Sequence, residues 1–168
     1  MNAEELRAAQ APLKQRYKDQ PETAKWVLKA EGSLHQSRIS CTIETGASRV
    51  EAGLHPATGG DGKTACSGDM LLESLAACAG VTLTVVATAL GITLRKGKVH
   101  AEGDLDFCGT LGVSKEVPVG FSNIRLRFDI DSDATPEQLA SLIKLTERYC
   151  VIYQTLSKPP SISVAINS

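Results

Sequence analysis

The residues best suited to chemistry in this chain are its cysteines, Cys41, Cys66, Cys78, Cys108 and Cys150. A cysteine thiolate is a strong nucleophile and metal ligand, so these residues indicate redox, exchange or metal-binding chemistry. Their number is odd and they include no CxxC pair, which is unlike a zinc site or the disulfide framework of a small secreted protein. We therefore expect free thiols, whose reactivity is set by their local surroundings.

Cys78 and Cys150 have the most informative surroundings. Cys78 lies among alanines and Gly80, whose small side chains leave the sulfur a space that a larger residue would fill. The same position also suits a cysteine that acts as a small buried hydrophobe. Cys150 follows Arg148 near a predicted helix end, where the guanidinium favours the thiolate and the helix dipole opposes it. For each cysteine, a reactive role and a packing role are both open.

The other candidates for chemistry are weaker. Cys41 is predicted in the core of a strand, Cys66 in a loop and Cys108 at a strand end. The histidines have no partner at the spacing of structural zinc ligands, and the GxSxG motif of many hydrolases is absent. We predict neither a metal nor a cofactor.

Length and charge narrow the range of partners. The 168 residues fit one domain with additions. With 18 basic and 19 acidic residues the formal charge is -1, and no long basic run offers a phosphate-binding field. We therefore expect neither nucleic acid nor a membrane as a partner. The charged N-terminus has no signal-peptide core, which predicts a cytoplasmic protein.

The elements that position the cysteines begin with a predicted helix over residues 2–19. Asn2 and Glu5 are spaced as a capping box, and Pro12 is expected to kink or split the helix. Strands follow, most clearly over residues 38–44, where apolar and polar side chains alternate.

A long apolar helix is predicted from about Gly68 to Leu90, with Ser67 as its N-cap and Gly91 as a left-handed C-cap. Its apolar run from Leu75 is shorter than the roughly 20 residues that a bilayer requires. Because the run is apolar nearly all round, we predict a helix buried inside the protein or a subunit interface.

Two later segments, residues 99–107 and 123–130, alternate in the manner of one-sided strands and are predicted to pair antiparallel. A second helix begins at a capping box on Thr135 and reaches Cys150. Alternating apolar residues then predict a last strand over residues 161–166. The predicted order along the chain, strands followed by a helix, strands, a helix and a last strand, is typical of an α+β fold.

Two segments resemble a known family. DMLLESLAAC, which ends at Cys78, and ERYCVIY, which contains Cys150, resemble segments of the OsmC/Ohr family of osmotically induced and organic hydroperoxide resistance proteins. The resemblance covers roughly residues 24–168 and leaves residues 1–23 as an N-terminal helical extension. It implies an OsmC-like fold, with antiparallel sheets wrapped around a long buried central helix in an intertwined homodimer.

The resemblance also implies a thiol-dependent peroxidase that reduces organic hydroperoxides, either alkyl or lipid. In this interpretation Cys78 attacks the peroxide and becomes a sulfenic acid, and Cys150 condenses with it to a disulfide. A dithiol reductant, in the family often a dihydrolipoyl group, then restores both thiols.

In the best-known members of the family an Arg and a Glu hold the thiolate environment. We expect Arg38 to supply the guanidinium, with Arg49 as the alternative. The position of the Glu is occupied by Gly68 in this chain. Asp69 is the expected substitute, with Glu73 as the alternative. A cation near a buried thiol favours its charged form.

An obligate homodimer is expected, because the predicted central helix is apolar on more faces than one sheet of this size can cover. Two other functions fit the same fold. A noncatalytic redox sensor would form the disulfide once without turnover, and the missing acid at position 68 favours it. A small-molecule binding module would use an apolar cleft and form no disulfide.

Overall fold

The structure, a computed structural model, describes residues 1–45 and 48–166. Besides three short 3-10 helices, that part of the chain contains five α-helices and six strands. In order they are α1 (Ala3–Asp19), β1 (Glu31–His35), β2 (Ser40–Thr45), β3 (Ser48–Gly53), β4 (Ala65–Cys66), α2 (Ser67–Leu90), β5 (Leu94–Asp104), α3 (Phe107–Thr110), β6 (Asn123–Ser132), α4 (Pro136–Tyr149) and α5 (Val151–Ser157). The predicted α+β class is confirmed.

The chain divides into two compact units. We call Met1–Arg7, Ser74–His100 and Arg127–Ser168 the helical unit, and Ala8–Glu73 with Ala101–Leu126 the sheet unit. The helical unit contains most of α2 and all of α4 and α5. The sheet unit contains β1 to β4.

The sheet unit is built on a four-stranded sheet in the order β1-β2-β3-β4. The first three strands are antiparallel neighbours, with Cys41 of β2 opposite Leu34 on one side and Ala52 on the other. β4 adds a short parallel pairing, in which Ala65 faces Ala52. Cys41 is half-buried in this sheet.

The strand predicted over residues 38–44 begins later than expected. Arg38 lies in a 3-10 turn before β2, and Ile39 has the left-handed φ of 50°. Ile39 is also 64% exposed, so it does not belong to a buried strand face. The expectation that Arg38 lies in this strand is therefore wrong. Apolar and polar residues also alternate in the turn before β2, and there the backbone conformation of the turn determines where the side chains point.

α2 matches its predicted boundaries closely. It begins at Ser67 and ends at Leu90, and Gly91 follows with a φ of 70°. Two hydrogen bonds close the end, from Gly91 N–H to the Thr88 carbonyl and from Ile92 N–H to the Ala87 carbonyl. A glycine in this left-handed position avoids the steric penalty that a Cβ would carry.

The core of the helical unit lies between α2 and α4. Its buried members are Leu83, Val86, Ala87, Ile92 and Leu142. Side chains from β5 and β6 pack against this cluster, among them Leu94, Phe128 and Ile130. α4 is held at its start by the predicted capping box between Thr135 and Gln138, with Pro136 in its first turn. That confirms the predicted start of the second helix.

β5 and β6 form a two-stranded sheet, as predicted. Arg95 near the start of β5 pairs with Asp131 near the end of β6, whereas Asp104 at the end of β5 pairs with Arg125 near the start of β6. The order of the partners is reversed along the chain, so the two strands run antiparallel.

Within the single chain α2 is not buried on all sides, so its burial inside the protein or a subunit interface stays a prediction, whereas the prediction of a last strand is wrong. α2 buries one face, but Val81 on the opposite face is 67% exposed. Residues 161–166 form no strand, and Ile162, Val164 and Ile166 are 88 to 93% exposed. A strand requires a neighbour that accepts and donates its backbone hydrogen bonds, and this segment has no such neighbour among the described residues.

α1 keeps its predicted capping box, in which Glu5 N–H donates to the Asn2 side chain and Asn2 N–H donates to the Glu5 carboxylate. The helix continues through Pro12 as one element, so the proline does not split it. None of its residues is buried.

Candidate functional site

Cys78 lies on α2, one turn after the buried Leu75. Its neighbour Ala79 is fully buried, and a Cβ added to Gly80 would contact Val99 at 3.4 Å. Small residues therefore let α2 pack closely beside the cysteine. Cys78 itself stays half-buried.

Cys150 occupies the junction between α4 and α5 and is completely buried. Its backbone N–H donates to the Thr146 carbonyl at 2.9 Å, and its carbonyl accepts from Gln154 N–H at 2.9 Å. Its sulfur accepts from Tyr153 N–H at 3.5 Å and so caps α5. The junction fixes both the backbone and the sulfur of this residue.

The structure brings Cys78 and Cys150 together within the helical unit. Each cysteine affects the ionisation of the other: hydrogen bonding to Cys150 is one of the causes that lower the pKa of Cys78, and Cys78 raises the pKa of Cys150. Both are free thiols.

Several donors converge on the Cys78 sulfur. Burial on its own would raise the pKa of Cys78. Hydrogen bonds from Ile152 N–H, the Cys150 thiol, Val151 N–H and the Thr82 hydroxyl outweigh burial, so the pKa of Cys78 lies below its usual value. The two N–H groups open α5, where they have no acceptor inside the helix and are free to bind sulfur.

Cys150 is shifted in the opposite direction. Burial raises the pKa of Cys150, and the neighbouring Cys78 raises it further, against the hydrogen bonds from Tyr153 and Ile152 N–H. Of the two thiols, Cys78 therefore ionises first, and Cys150 stays protonated as its donor. This asymmetry suits a pair in which one sulfur attacks and the other condenses with the product.

Arg148 does not have the role that the sequence suggested. Its guanidinium lies over the ring of Tyr149, 5.4 Å from the centroid. The pKa of Cys150 is raised, mainly by burial, so the expectation that a neighbouring guanidinium favours the Cys150 thiolate is wrong.

Arg38 and Asp69 belong to the sheet unit. Arg38 pairs with Glu51 at 3.2 Å. Glu51 also accepts a 2.7 Å hydrogen bond from Ser40. That hydrogen bond, with smaller contributions from Arg38 and other cations, lowers the pKa of Glu51. Asp69 lies exposed in the first turn of α2. Their roles at Cys78 stay predictions.

The alternatives to these two residues also lie in the sheet unit. Arg49 lies on β3 opposite Glu44, and Glu73 is exposed on α2. The choice between Arg38 and Arg49, and between Asp69 and Glu73, therefore stays open.

The remaining cysteines have different surroundings. Cys41 and Cys66 are half-buried in strands. Cys108 is exposed, and a hydrogen bond to Asp106 together with the charge of that carboxylate raises its pKa. Over residues 1–45 and 48–166, no group of three His, Cys, Asp or Glu side chains is arranged to hold a metal ion.

Sequence reasoning missed Thr82 and the N–H groups of Val151 and Ile152. Thr82 was detectable, because it follows Cys78 by four residues in a predicted helix and therefore shares its face. The two N–H groups were not, because every residue except proline carries one. Only the fold determines which sulfur they meet.

By length and composition alone, α2 is apolar enough to cross a membrane, because 18 of its 24 residues form a stretch with a mean hydropathy of 1.8. Core helices of soluble proteins satisfy the same criterion, so a single helix of this kind is weak evidence for a membrane span.

Comparison with known proteins finds a matching family model and solved structures with a similar fold. The family model described as OsmC-like protein matches residues 60–165. No curated protein matches the sequence. An OsmC-like protein from Mycoplasma pneumoniae has a similar structure, with a TM-score of 0.67 and 20% identity, over 80% of this chain and 90% of that one.

Two further solved structures are similar in fold. An organic hydroperoxide resistance protein OsmC from Legionella pneumophila has a TM-score of 0.61 and 17% identity, over 80% of this chain and 93% of that one. The organic hydroperoxide resistance protein OhrB of Bacillus subtilis has a TM-score of 0.53 and 17% identity, over 79% and 93%. At such identities the likeness concerns the fold alone.

Proposed function

The chain belongs to the OsmC-like protein family, and on that premise we propose that it is a thiol-dependent peroxidase that reduces organic hydroperoxides to alcohols. The observation that carries the proposal is the pair of Cys78 and Cys150 in the helical unit, in which backbone and side-chain donors lower the pKa of Cys78 although burial opposes it. Similar folds named for organic hydroperoxide resistance add support.

The first step is attack of the Cys78 thiolate on the outer oxygen of the hydroperoxide. An S–O bond forms, the O–O bond breaks, and the departing alkoxide takes a proton to leave as the alcohol. Cys78 is oxidised to a sulfenic acid as the peroxide is reduced. The lowered pKa of Cys78 makes the thiolate available at a lower pH than an ordinary thiol allows.

The second step joins the two sulfurs. Cys150 loses its proton and attacks the sulfenic sulfur, an S–S bond forms, and the displaced hydroxide takes that proton to leave as water. The raised pKa of Cys150 keeps it protonated until this step, since burial disfavours its thiolate. A dithiol, such as a dihydrolipoyl protein, then returns both cysteines to thiols by exchange and becomes a disulfide itself. No cofactor enters this cycle.

Apolar surroundings favour alkyl or lipid hydroperoxides over hydrogen peroxide. The residues around Cys78 in α2, from Leu75 to Leu83, are mostly apolar. An alkyl chain gains roughly 0.8 kcal/mol for each CH2 group that it buries against such residues. We further propose that Arg38 and Asp69 support the thiolate.

The proposed assembly is a homodimer. Val81 and Val85 on α2 are exposed in the single chain, as are Ile162, Val164 and Ile166. A twofold partner that presents the same surfaces would cover these side chains. Light scattering on dilution tests this, and Val85→Asp is expected to abolish the soluble dimer. A compact, active monomer at micromolar concentration would contradict the proposal.

Disulfide mapping tests the chemistry. Reduced protein receives one equivalent of an organic hydroperoxide, remaining thiols are blocked, and linked peptides are identified by mass spectrometry. We expect a Cys78–Cys150 bridge, with the other three cysteines alkylated. A bridge that involves Cys41, Cys66 or Cys108 would contradict the site.

Turnover separates the peroxidase from a noncatalytic redox sensor. With excess hydroperoxide and dithiol, a peroxidase consumes many equivalents, whereas a sensor consumes about one and stops. Since the cycle depends on a dithiol reductant, we also propose that the protein acts in the cytoplasm, where thiols are kept reduced.

A further inference from the structure

The helical path of the chain breaks between α4 and α5 at Cys150, whose backbone is extended, with φ of -73° and ψ of 109°. The last carbonyls of a helix have no donor within that helix. In an unbroken helix the Glu147 carbonyl would accept from the N–H four residues later, at Val151. It accepts instead from the side-chain amide of Gln154, at 2.8 Å.

Gln154 is therefore joined to both sides of the break. Its side chain donates to Glu147 in the last turn of α4, seven residues earlier. Its backbone N–H donates to the Cys150 carbonyl at 2.9 Å, at the start of α5. The hydroxyls of Thr155 and Ser157, by contrast, donate to carbonyls of α5 itself. The side chain of Gln154 thus forms a hydrogen bond that crosses the junction.

The two helices together determine where the Cys150 sulfur lies. The backbone N–H of Cys150 donates to the Thr146 carbonyl of α4 at 2.9 Å. Its sulfur accepts from the Tyr153 N–H of α5 at 3.5 Å. The residue is completely buried, so its side chain has little room to adjust. A change in the angle between α4 and α5 would therefore displace the sulfur.

We propose that Gln154 is a positioning residue for the condensing thiol, because it joins α4 to α5 across Cys150 and so holds the Cys150 sulfur in place for disulfide closure. The inference deepens the proposed function and rests on its assignment of Cys78 and Cys150 as the reacting pair. Attack of one sulfur on another requires the two atoms to be close and aligned, so a small displacement slows it. The earlier attack by Cys78 does not use Cys150 as a reactant and should keep its rate.

Three variants isolate the hydrogen bond that crosses the junction. Gln154→Met keeps the approximate length of the side chain and removes the donor, whereas Gln154→Lys retains an N–H donor. Thr155→Val is the matched control, because it removes a 2.8 Å hydrogen bond to the Val151 carbonyl that stays inside α5.

The test separates disulfide closure from the attack that precedes it. Reduced full-length protein is mixed with one equivalent of a small aromatic disulfide. The Cys78 thiolate attacks one sulfur of the reagent, forms a mixed disulfide and releases an aromatic thiolate. Cys150 then attacks the Cys78 sulfur, an S–S bond to the reagent breaks, and the second aromatic thiolate leaves with the proton of Cys150. Samples are quenched with acid over time, and the Cys78 mixed disulfide and the Cys78–Cys150 bridge are measured by mass spectrometry.

In Gln154→Met we expect closure to slow roughly three- to tenfold, so that the mixed disulfide accumulates, while the first attack keeps its rate. Gln154→Lys and Thr155→Val should close the bridge at about the parental rate. Closure at the parental rate in Gln154→Met would overturn the assignment. Equal slowing in Thr155→Val or in Gln154→Lys would also overturn it, and so would the absence of the bridge in the parent protein.

A parallel measurement with an organic hydroperoxide and a dithiol tests the proposed function separately. Slower closure in Gln154→Met with the aromatic disulfide, without hydroperoxide consumption by the parent, would keep the role of Gln154 and remove the peroxidase. Sustained hydroperoxide turnover with parental closure in Gln154→Met would keep the peroxidase and remove the role of Gln154.

Discussion

The surroundings of Cys78 and of Arg38 differ in how their charges are held. The Cys78 sulfur is half-buried and receives hydrogen bonds from two backbone N–H groups, a thiol and a hydroxyl. Arg38 lies on a turn, largely exposed, and pairs with Glu51. Water therefore screens the ion pair between Arg38 and Glu51, whereas it reaches the half-buried Cys78 less readily.

This difference in burial predicts which residues determine the reactivity of Cys78. Hydrogen bonds to a charged group inside a protein are among its stronger interactions, whereas exposed ion pairs contribute little. We therefore expect the donors within the helical unit to control the Cys78 thiolate, and Arg38 to make a smaller adjustment. The four predictions below test that order, beginning with the largest effect.

Removing the attacking sulfur should have the largest effect. Cys78→Ser is expected to lower hydroperoxide turnover by about a thousandfold or more, since a serine hydroxyl is not ionised at neutral pH. Cys150→Ser should still release one equivalent of alcohol and then stop as a sulfenic acid, which dimedone traps. Turnover with a dithiol reductant is the measurement.

Cys41→Ser is the matched control, because Cys41 lies on β2 in the sheet unit. It should retain parental turnover. Unchanged turnover in Cys78→Ser would place the reaction at another residue.

The second prediction concerns the packing that holds the cysteine pair. Leu142 on α4 is completely buried in the core of the helical unit. Leu142→Ala removes buried methyl groups and leaves a cavity, so the free energy of unfolding should fall by about 2–5 kcal/mol. Chemical denaturation measures it.

Val113→Ala is the control for that substitution. Val113 is exposed in the loop after α3, and its truncation should change the free energy of unfolding by about 0.5 kcal/mol or less. Equal losses in the two variants would mean that Val113 is covered in the assembled protein.

The positions of the helix caps could be predicted from the sequence because capping is local. Asn2, Ser67, Thr135 and Gly91 all mark helix ends within one residue of those observed. At Asn2, Thr135 and Gly91 a short side chain or a missing Cβ satisfies the geometry of the end on its own.

Burial and the thiol site depend on distant residues and were less predictable. The alternation over residues 161–166 indicated a strand, but a strand needs a partner, and the described residues of this chain supply none. The guanidinium of Arg148 was expected to act on Cys150, but it lies over the ring of Tyr149. Cys78 and Cys150 were paired from family resemblance, since no pattern in the residues themselves indicates their contact.

The third prediction compares Cys78 with Cys108. Cys108 is exposed but Asp106 raises its pKa, whereas Cys78 is half-buried with a lowered pKa. Because alkylation follows the thiolate, Cys78 should react about tenfold faster at neutral pH, and its rate should reach a plateau at a lower pH than that of Cys108. Peptide-resolved alkylation gives both profiles.

Asp106→Asn sharpens this third test. It removes the charge that opposes the Cys108 thiolate and should speed Cys108 alone. If Cys108 reacts faster than Cys78 in the parent protein, exposure outweighs ionisation, and hydrogen bonding is not the main control of reactivity.

The smallest expected effect is that of Arg38. Arg38→Gln should slow Cys78 alkylation below the plateau by about two- to threefold, because Glu51 already neutralises much of the guanidinium charge and water screens the remainder. Arg49→Gln is the matched control from β3 and should have no effect. A slower rate in Arg49→Gln alone would transfer the role to Arg49. A loss of about tenfold or more in Arg38→Gln would reverse the order expected for the two regions, because a screened charge would then match the hydrogen bonds that lower the pKa of Cys78.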